Sequence, residues 1–180
     1  MNLKIYLENL SKRIYFQRLP KKRMGAGCLL FDDRGKVLIL KPTYKDCWLL
    51  PGGAIEAYES PRQACIREVK EETGVDCQPT KLLCVDYVSN YSNDIVESKE
   101  LTRQSHCIYK MESVQFVFLS KIIDSKTVIT VPKQEISTYQ FLELGRAIPM
   151  LGNNSQRRLQ SCLKYLDGEA TVYLENGRQR

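Results

Sequence analysis

Glu68, Glu71 and Glu72 cluster in one short stretch, with Arg67 beside them, Glu59 upstream and the pair Gly52-Gly53 before that. On a helix turning about 100° per residue, the three acids share an arc about 100° wide, so their carboxylates project from one patch. Like charges at that spacing repel, and a cation among them removes the cost. Hard oxygen ligands favour Mg²⁺ or Mn²⁺ over softer metals, and the Gly52 carbonyl, in the tight turn Pro51-Gly52-Gly53, can complete the coordination shell. Arg67 is spaced to pair with Glu71 one turn on and to reach back to Glu59, which makes both of them scaffold for the acids. A carboxylate-bound cation supplies charge neutralisation and an activated water, the two needs of diphosphate hydrolysis. A solvated acidic helix face accounts for an isolated E-x-x-E-E, but not for the glycines and Glu59 at their spacing.

The elements that must position these residues are legible from their ends. Ser60 is a good N-cap, Pro61 suits the first helical position, Gln63 completes a capping box, and Gly74 supplies a left-handed stop. A helix over Pro61 to Thr73 follows, with Cys65, Ile66, Val69 and Thr73 toward a core. Upstream, Gly25 to Phe31 and Lys36 to Lys41 read as a hairpin around Asp32-Asp33-Arg34-Gly35. Trp48, just before the glycine turn, is placed either to stack on a base or to pack. Downstream, Lys81 to Tyr91, His106 to Tyr109 and Val114 to Ser120 read as strands, and Ser92 to Gln104 as a long polar loop of the kind that carries substrate contacts. Tyr139 to Leu144 reads as a short helix, Asn154 to Leu166 as a longer one, and Ala170 to Leu174 as a closing strand. The whole is a sheet-and-helix sandwich.

The chain has 180 residues, of which 43% are hydrophobic and 27% charged, a balance that suits one compact domain and excludes disordered and membrane-embedded classes. No apolar run approaches the roughly 20 residues that span a bilayer, and Met1 to Pro20 lacks a signal peptide's apolar centre, so a cytoplasmic location is expected. The net charge of +6 is concentrated early, in Lys4, Lys12, Arg13, Arg18, Lys21, Lys22 and Arg23. Leu3, Leu7, Leu10 and Ile14 follow helical spacing, so an amphipathic helix that packs on the domain is expected ahead of a basic connector. The sharper alternative is a phosphate-attracting arm for nucleotides or RNA, although no aromatic-basic RNA motif accompanies it. Seven cysteines form no CxxC pair and suit free thiols in a reducing compartment. A zinc site, or a Cys-His or Ser-His-Asp mechanism, would rest on His106 alone.

The run Gly53 to Val75 resembles the signature box of the Nudix hydrolase family at every fixed position, and Trp48-Leu49-Leu50-Pro51-Gly52-Gly53 resembles the usual approach to it. A chance match to so many fixed places is on the order of one in ten million. The resemblance implies an α/β (α+β) fold, a mixed β-sheet between α-helices, over residues 24–151, flanked by the N-terminal arm (1–23) and a packed C-terminal helix and strand (152–180). It implies Mg²⁺- or Mn²⁺-dependent cleavage of a nucleoside diphosphate linked to a group X, giving a nucleoside monophosphate and phosphorylated X. Glu68, Glu71 and Glu72 are then the metal patch, with Glu68 also a candidate base. Some family members instead recruit an acid from a later loop, for which Glu135, ahead of the expected late helix, is best placed. Tyr91 resembles the tyrosine marker of some dinucleoside polyphosphate hydrolases, while Ser89, Asn90 and Tyr91 occupy the zone where ADP-ribose subfamilies carry a proline, so X stays open. A homodimer is a further expectation from the family. Two alternatives stand beside this reading: a nucleotide sensor that binds without turnover, and an RNA 5′-end pyrophosphohydrolase that uses the basic arm.

Overall fold

A computed structural model describes residues 3–89 and 112–179. Its central mixed sheet runs, in spatial order, Gly52–Ala54 (β3), Arg23–Leu29 (β1), Ser113–Ser120 (β5), Pro79–Val88 (β4), Val172–Glu175 (β7) and Arg178–Gln179 (β8). β1 runs parallel to β5, and β4 parallel to β7, while the remaining pairs are antiparallel. Val37–Pro42 (β2) and Ile136–Leu142 (β6) form a separate antiparallel ribbon.

Both faces of the central sheet are covered, which is why its inner strands are apolar on alternate and intervening positions alike. Cys28 and Leu30 face one core cluster with Ala64, Cys65 and Val69 of the helix Pro61–Thr73 (α2). Leu29 faces the other, with Leu159 and Cys162 of a later helix, Asn153–Cys162 (α4), and with Ala147 of the short helix Leu144–Ala147 (α3). The caps of α2 form as their residue types dictate. Gln63 N donates to Ser60 Oγ at 3.2 Å, Ser60 N donates to the Gln63 side chain at 2.8 Å, and Gly74 ends the helix at φ 74°.

Several expectations need correction. Tyr139 to Leu144 is not a helix, because β-branched and aromatic residues let Ile136–Leu142 pair with β2 along its whole length. Tyr139 to Leu144, interrupted by Gln140 and Glu143, is too short for its periodicity to separate the two outcomes. The hairpin of Gly25 to Phe31 and Lys36 to Lys41 closes only at its tip, through the Phe31–Val37 bridge, before β1 and β2 diverge into different sheets. Ile66 is 36% exposed, and Ala64 takes its place on the buried face of α2. The N-terminal segment is helical over Leu3–Arg18 (α1), yet Leu10 and Ile14 are exposed, as are Tyr15 and Phe16. The asparagine-glycine turn after β7, with both residues at positive φ, starts an additional short strand. Tyr91, His106 and Cys107, the strand expected at His106 to Tyr109 and the loop expected at Ser92 to Gln104 lie outside the described residues.

Candidate active site

The α2 face, the β3 turn and the loop before α2 converge on Arg67. Its guanidinium donates to Glu59 at 2.7 and 3.2 Å, to Glu68 at 3.0 Å, to Glu71 at 2.9 Å and to the Ala54 carbonyl at 3.0 Å. This fork is possible only for arginine, whose donors are planar and diverge. The Arg67 hydrogen bonds, helped by the Glu56 amide at 2.7 Å, hold the Glu59 carboxyl below its ordinary range. The same acids keep Arg67 firmly protonated.

Glu72 lies deeper. Its Oε2 accepts from the Gly52 amide at 2.7 Å. Burial pushes its pKa up to about 7 against that hydrogen bond, and repulsion from Glu68, Glu135 and Glu71 adds to the rise. Burial likewise raises Glu68, with Arg67 opposing. Glu68 and Glu72 thus share one pattern: the protein holds one oxygen, and the other has no hydrogen-bond partner among the described residues. No such unpartnered atom is sealed from solvent. Two half-buried carboxylates, each with an oxygen to spare and each raised chiefly by burial, fit a hard divalent cation.

The glycines make this geometry possible. Gly52 has φ +143°, and a Cβ there would sit 2.3 Å from the Ala26 carbonyl oxygen. A Cβ on Gly53 would sit 2.5 Å from the Glu68 carboxyl group. The two glycines also border a cleft of about 390 Å³, within the range of small-molecule sites, whose lining includes Arg23, Lys45, Gln115 and Arg158.

The structure therefore brings together Gly52, Glu59, Arg67, Glu68, Glu71 and Glu72. Glu71 is the most open of the acids, its side chain 59% exposed. Glu135 is exposed and precedes β6, not the expected late helix, although its charge reaches Glu72. Trp48 packs beside Leu151 and Met150 against the second core cluster and is not among the residues lining the cleft. Tyr91 lies outside the described residues.

Sequence reasoning missed Gln115 and Arg158. Gln115 is a polar residue in a buried strand paired with Gly25, which such a strand does not need for packing. Arg158 donates to Asp86 at 2.8 Å, and Asp86, wholly buried in β4, also accepts from the Gly177 amide at 2.9 Å. An aspartate inside an apolar strand was the available signal for a buried partner.

The chain is 42% identical over 63 residues to an 8-oxo-dGDP phosphatase of Danio rerio, covering 33% of this chain and 19% of that protein. It is 39% identical over 61 residues to an RNA pyrophosphohydrolase of Stutzerimonas stutzeri (strain A1501), covering 34% of this chain and 38% of that protein. The chain thus spans well under half the length of these relatives. A Nudix hydrolase structure from Nitrosomonas europaea matches with a TM-score of 0.64 at 16% identity, covering 88% of this chain and 80% of that one. A UDP-X diphosphatase structure matches with a TM-score of 0.60 at 23% identity, covering 97% of this chain and 75% of that one. At these identities the two structures establish a shared fold. The NUDIX domain family matches residues 21–161, and the chain belongs to that family.

Proposed function

We propose that this chain is a divalent-cation-dependent pyrophosphohydrolase that cleaves a nucleoside diphosphate linked to X into a nucleoside monophosphate and phosphorylated X. One observation carries the reading: Glu68 and Glu72 each keep an oxygen available beside a cleft that shares Gly52 and Gly53. Glu68, Glu71, Glu72 and the Gly52 carbonyl would hold Mg²⁺ or Mn²⁺, which would supply neutralisation of diphosphate charge and activation of water.

The chain's own residues do the rest. Arg23, Lys45 and Arg158 line the cleft as cations and favour an anionic substrate. Arg67 fixes the carboxylate positions, so little reorganisation accompanies the reaction. Glu68, raised by burial, accepts the attacking water's proton; Glu135 is the competing acceptor, being closer to a loop acid in placement. As water's oxygen bonds to phosphorus, the bridging P–O bond breaks and the departing phosphate leaves with the anhydride oxygen.

The test is a Mg²⁺ and Mn²⁺ hydrolysis screen across nucleoside triphosphates, ADP-ribose, nucleotide sugars, dinucleoside polyphosphates and 5′-triphosphate RNA, with Glu72→Gln as control. Product formation that drops by orders of magnitude in the variant supports the reading. Tight nucleotide binding with no product from any substrate replaces it with a nucleotide-binding module.

A second reading, hydrolysis at RNA 5′ ends, draws on Arg23, which joins the exposed Lys21-Lys22 connector directly to the cleft. RNA binding is then strongly salt-dependent, and replacing Lys21, Lys22 and Arg23 with alanine reduces the salt slope; an unchanged slope removes this reading.

A further inference from the structure

Three cysteines far apart in sequence meet inside the first core cluster. Cys28 comes from β1, Cys65 from α2 and Cys77 from the segment joining α2 to β4, and their Sγ atoms all lie within 4.8 Å of one another. Cys28 and Cys65 are fully buried, and Cys77 is 5% exposed. Among the described residues, no carboxylate or imidazole joins the group. Cys65 Sγ donates to the Gly27 carbonyl at 3.7 Å.

We propose that Cys28, Cys65 and Cys77 form a buried three-sulfur site for a soft d¹⁰ cation, Cu(I). A metal–sulfur bond of about 2.3 Å places the sulfurs of a trigonal site about 4.0 Å apart, so the cluster closes on an ion by moving each sulfur by less than about 1 Å. Thiolate donors select soft ions, which separates this site from the hard carboxylate site that α2 also carries at Glu68 and Glu72. Structural zinc takes four ligands, whereas the described residues offer three sulfurs in apolar surroundings: Leu30, Ala64, Val69 and Phe118 belong to the same cluster. Three donors satisfy Cu(I). The ion enters at the Cys77 edge, and each thiol that becomes a thiolate releases its proton to solvent there.

Such a site ties β1, α2 and the turn beyond α2 together, and thereby grips the helix that carries the catalytic acids. Binding to the native chain alone raises its stability by mass action. The site is independent of the diphosphate chemistry, and its test does not pass through activity.

The test uses the full chain, free of metal and oxygen, with Mg²⁺ present to occupy hard sites. Cu(I) is delivered from a chromophoric chelator that competes for it. One tightly held Cu(I) per chain, a thiolate-to-copper absorption band in the ultraviolet, a higher melting temperature and three sulfur neighbours by X-ray absorption are expected. Cys65→Ala loses that equivalent. Cys84→Ala keeps it, although it removes a buried thiol from the separate contact with Cys162. If Cys65→Ala fails to fold, Cys77→Ser, at the edge of the cluster, replaces it, and the X-ray absorption measurement on the unaltered chain needs no variant. Failure to retain one equivalent against the chelator, retention in Cys65→Ala, displacement by Zn(II), or a shell with fewer than three sulfurs each overturns the proposal.

Discussion

Gly53 lies directly against the Glu68 carboxyl group, and a Cβ at residue 53 would come within 2.5 Å of Cδ and both oxygens. The colliding atoms are the far end of a flexible side chain, so Gly53→Ala displaces Glu68 more than it disturbs the fold. The variant is expected to melt within a few degrees of the parent and to lose about 10²-fold or more in kcat/KM. A retained rate with unchanged metal dependence would show that the position of Glu68 is immaterial. Gly52 is the contrasting case: its φ of +143° and the nearby Ala26 backbone make any substitution there costly to folding itself.

Arg67→Lys keeps the charge and loses the fork. One ammonium cannot serve Glu59, Glu68, Glu71 and the Ala54 carbonyl together, so the acids lose their common anchor. The side chains of Arg67 and Glu59 are 25% and 15% exposed, and the expected loss of stability is about 1–3 kcal/mol. Denaturant unfolding measures the loss, and a Mg²⁺ titration of the hydrolysis rate should shift to higher concentration. A variant equal to the parent in both would mean that the network only decorates the helix.

Without divalent metal, stability should fall as pH rises from 4.5 to about 7. Burial raises Glu72, and to a lesser degree Glu68, so in that window the native chain binds more protons than the unfolded chain. Stability then declines with increasing pH, by on the order of 3 kcal/mol in total. Glu59, held low by Arg67, contributes in the opposite sense, but only below its ordinary value of 4.5. Melting temperatures in a chelator across this range test the sign, and excess Mg²⁺ should flatten the profile. A melting temperature that climbs with pH in chelator contradicts the burial of Glu72.

Asp86→Ala should be among the most destabilising single changes at the cleft. It strands Arg158, whose side chain is 11% exposed, and leaves the Gly177 amide without its acceptor. Removing one partner of such a pair costs about 3–5 kcal/mol. Replacing both residues together with apolar ones should recover much of the loss, and the double-mutant cycle measures the coupling. If the single variant unfolds at the parent's denaturant midpoint, the pair is not holding β4, α4 and the β7–β8 turn together.

The sequence by itself determined what is local. Ser60, Pro61, Gln63 and Gly74 specify both ends of α2 through contacts made within a few residues, and the helical repeat then places Glu68, Glu71 and Glu72 on one patch with Arg67 in reach of Glu71 and Glu59. Only the tertiary structure decided what depends on distant partners. Ile136–Leu142 became a strand because β2 was there to pair with it, and β1 and β2 parted because each found a longer partner in a different sheet. Arg158 reached Asp86, and Cys28 and Cys77 reached Cys65, through contacts between elements that no spacing in the chain encodes. Capping and periodicity are short-range energies written in neighbouring residues. Strand pairing and side-chain meeting depend on the whole chain's packing, which is why the acids of the site were legible and the walls of its cleft were not.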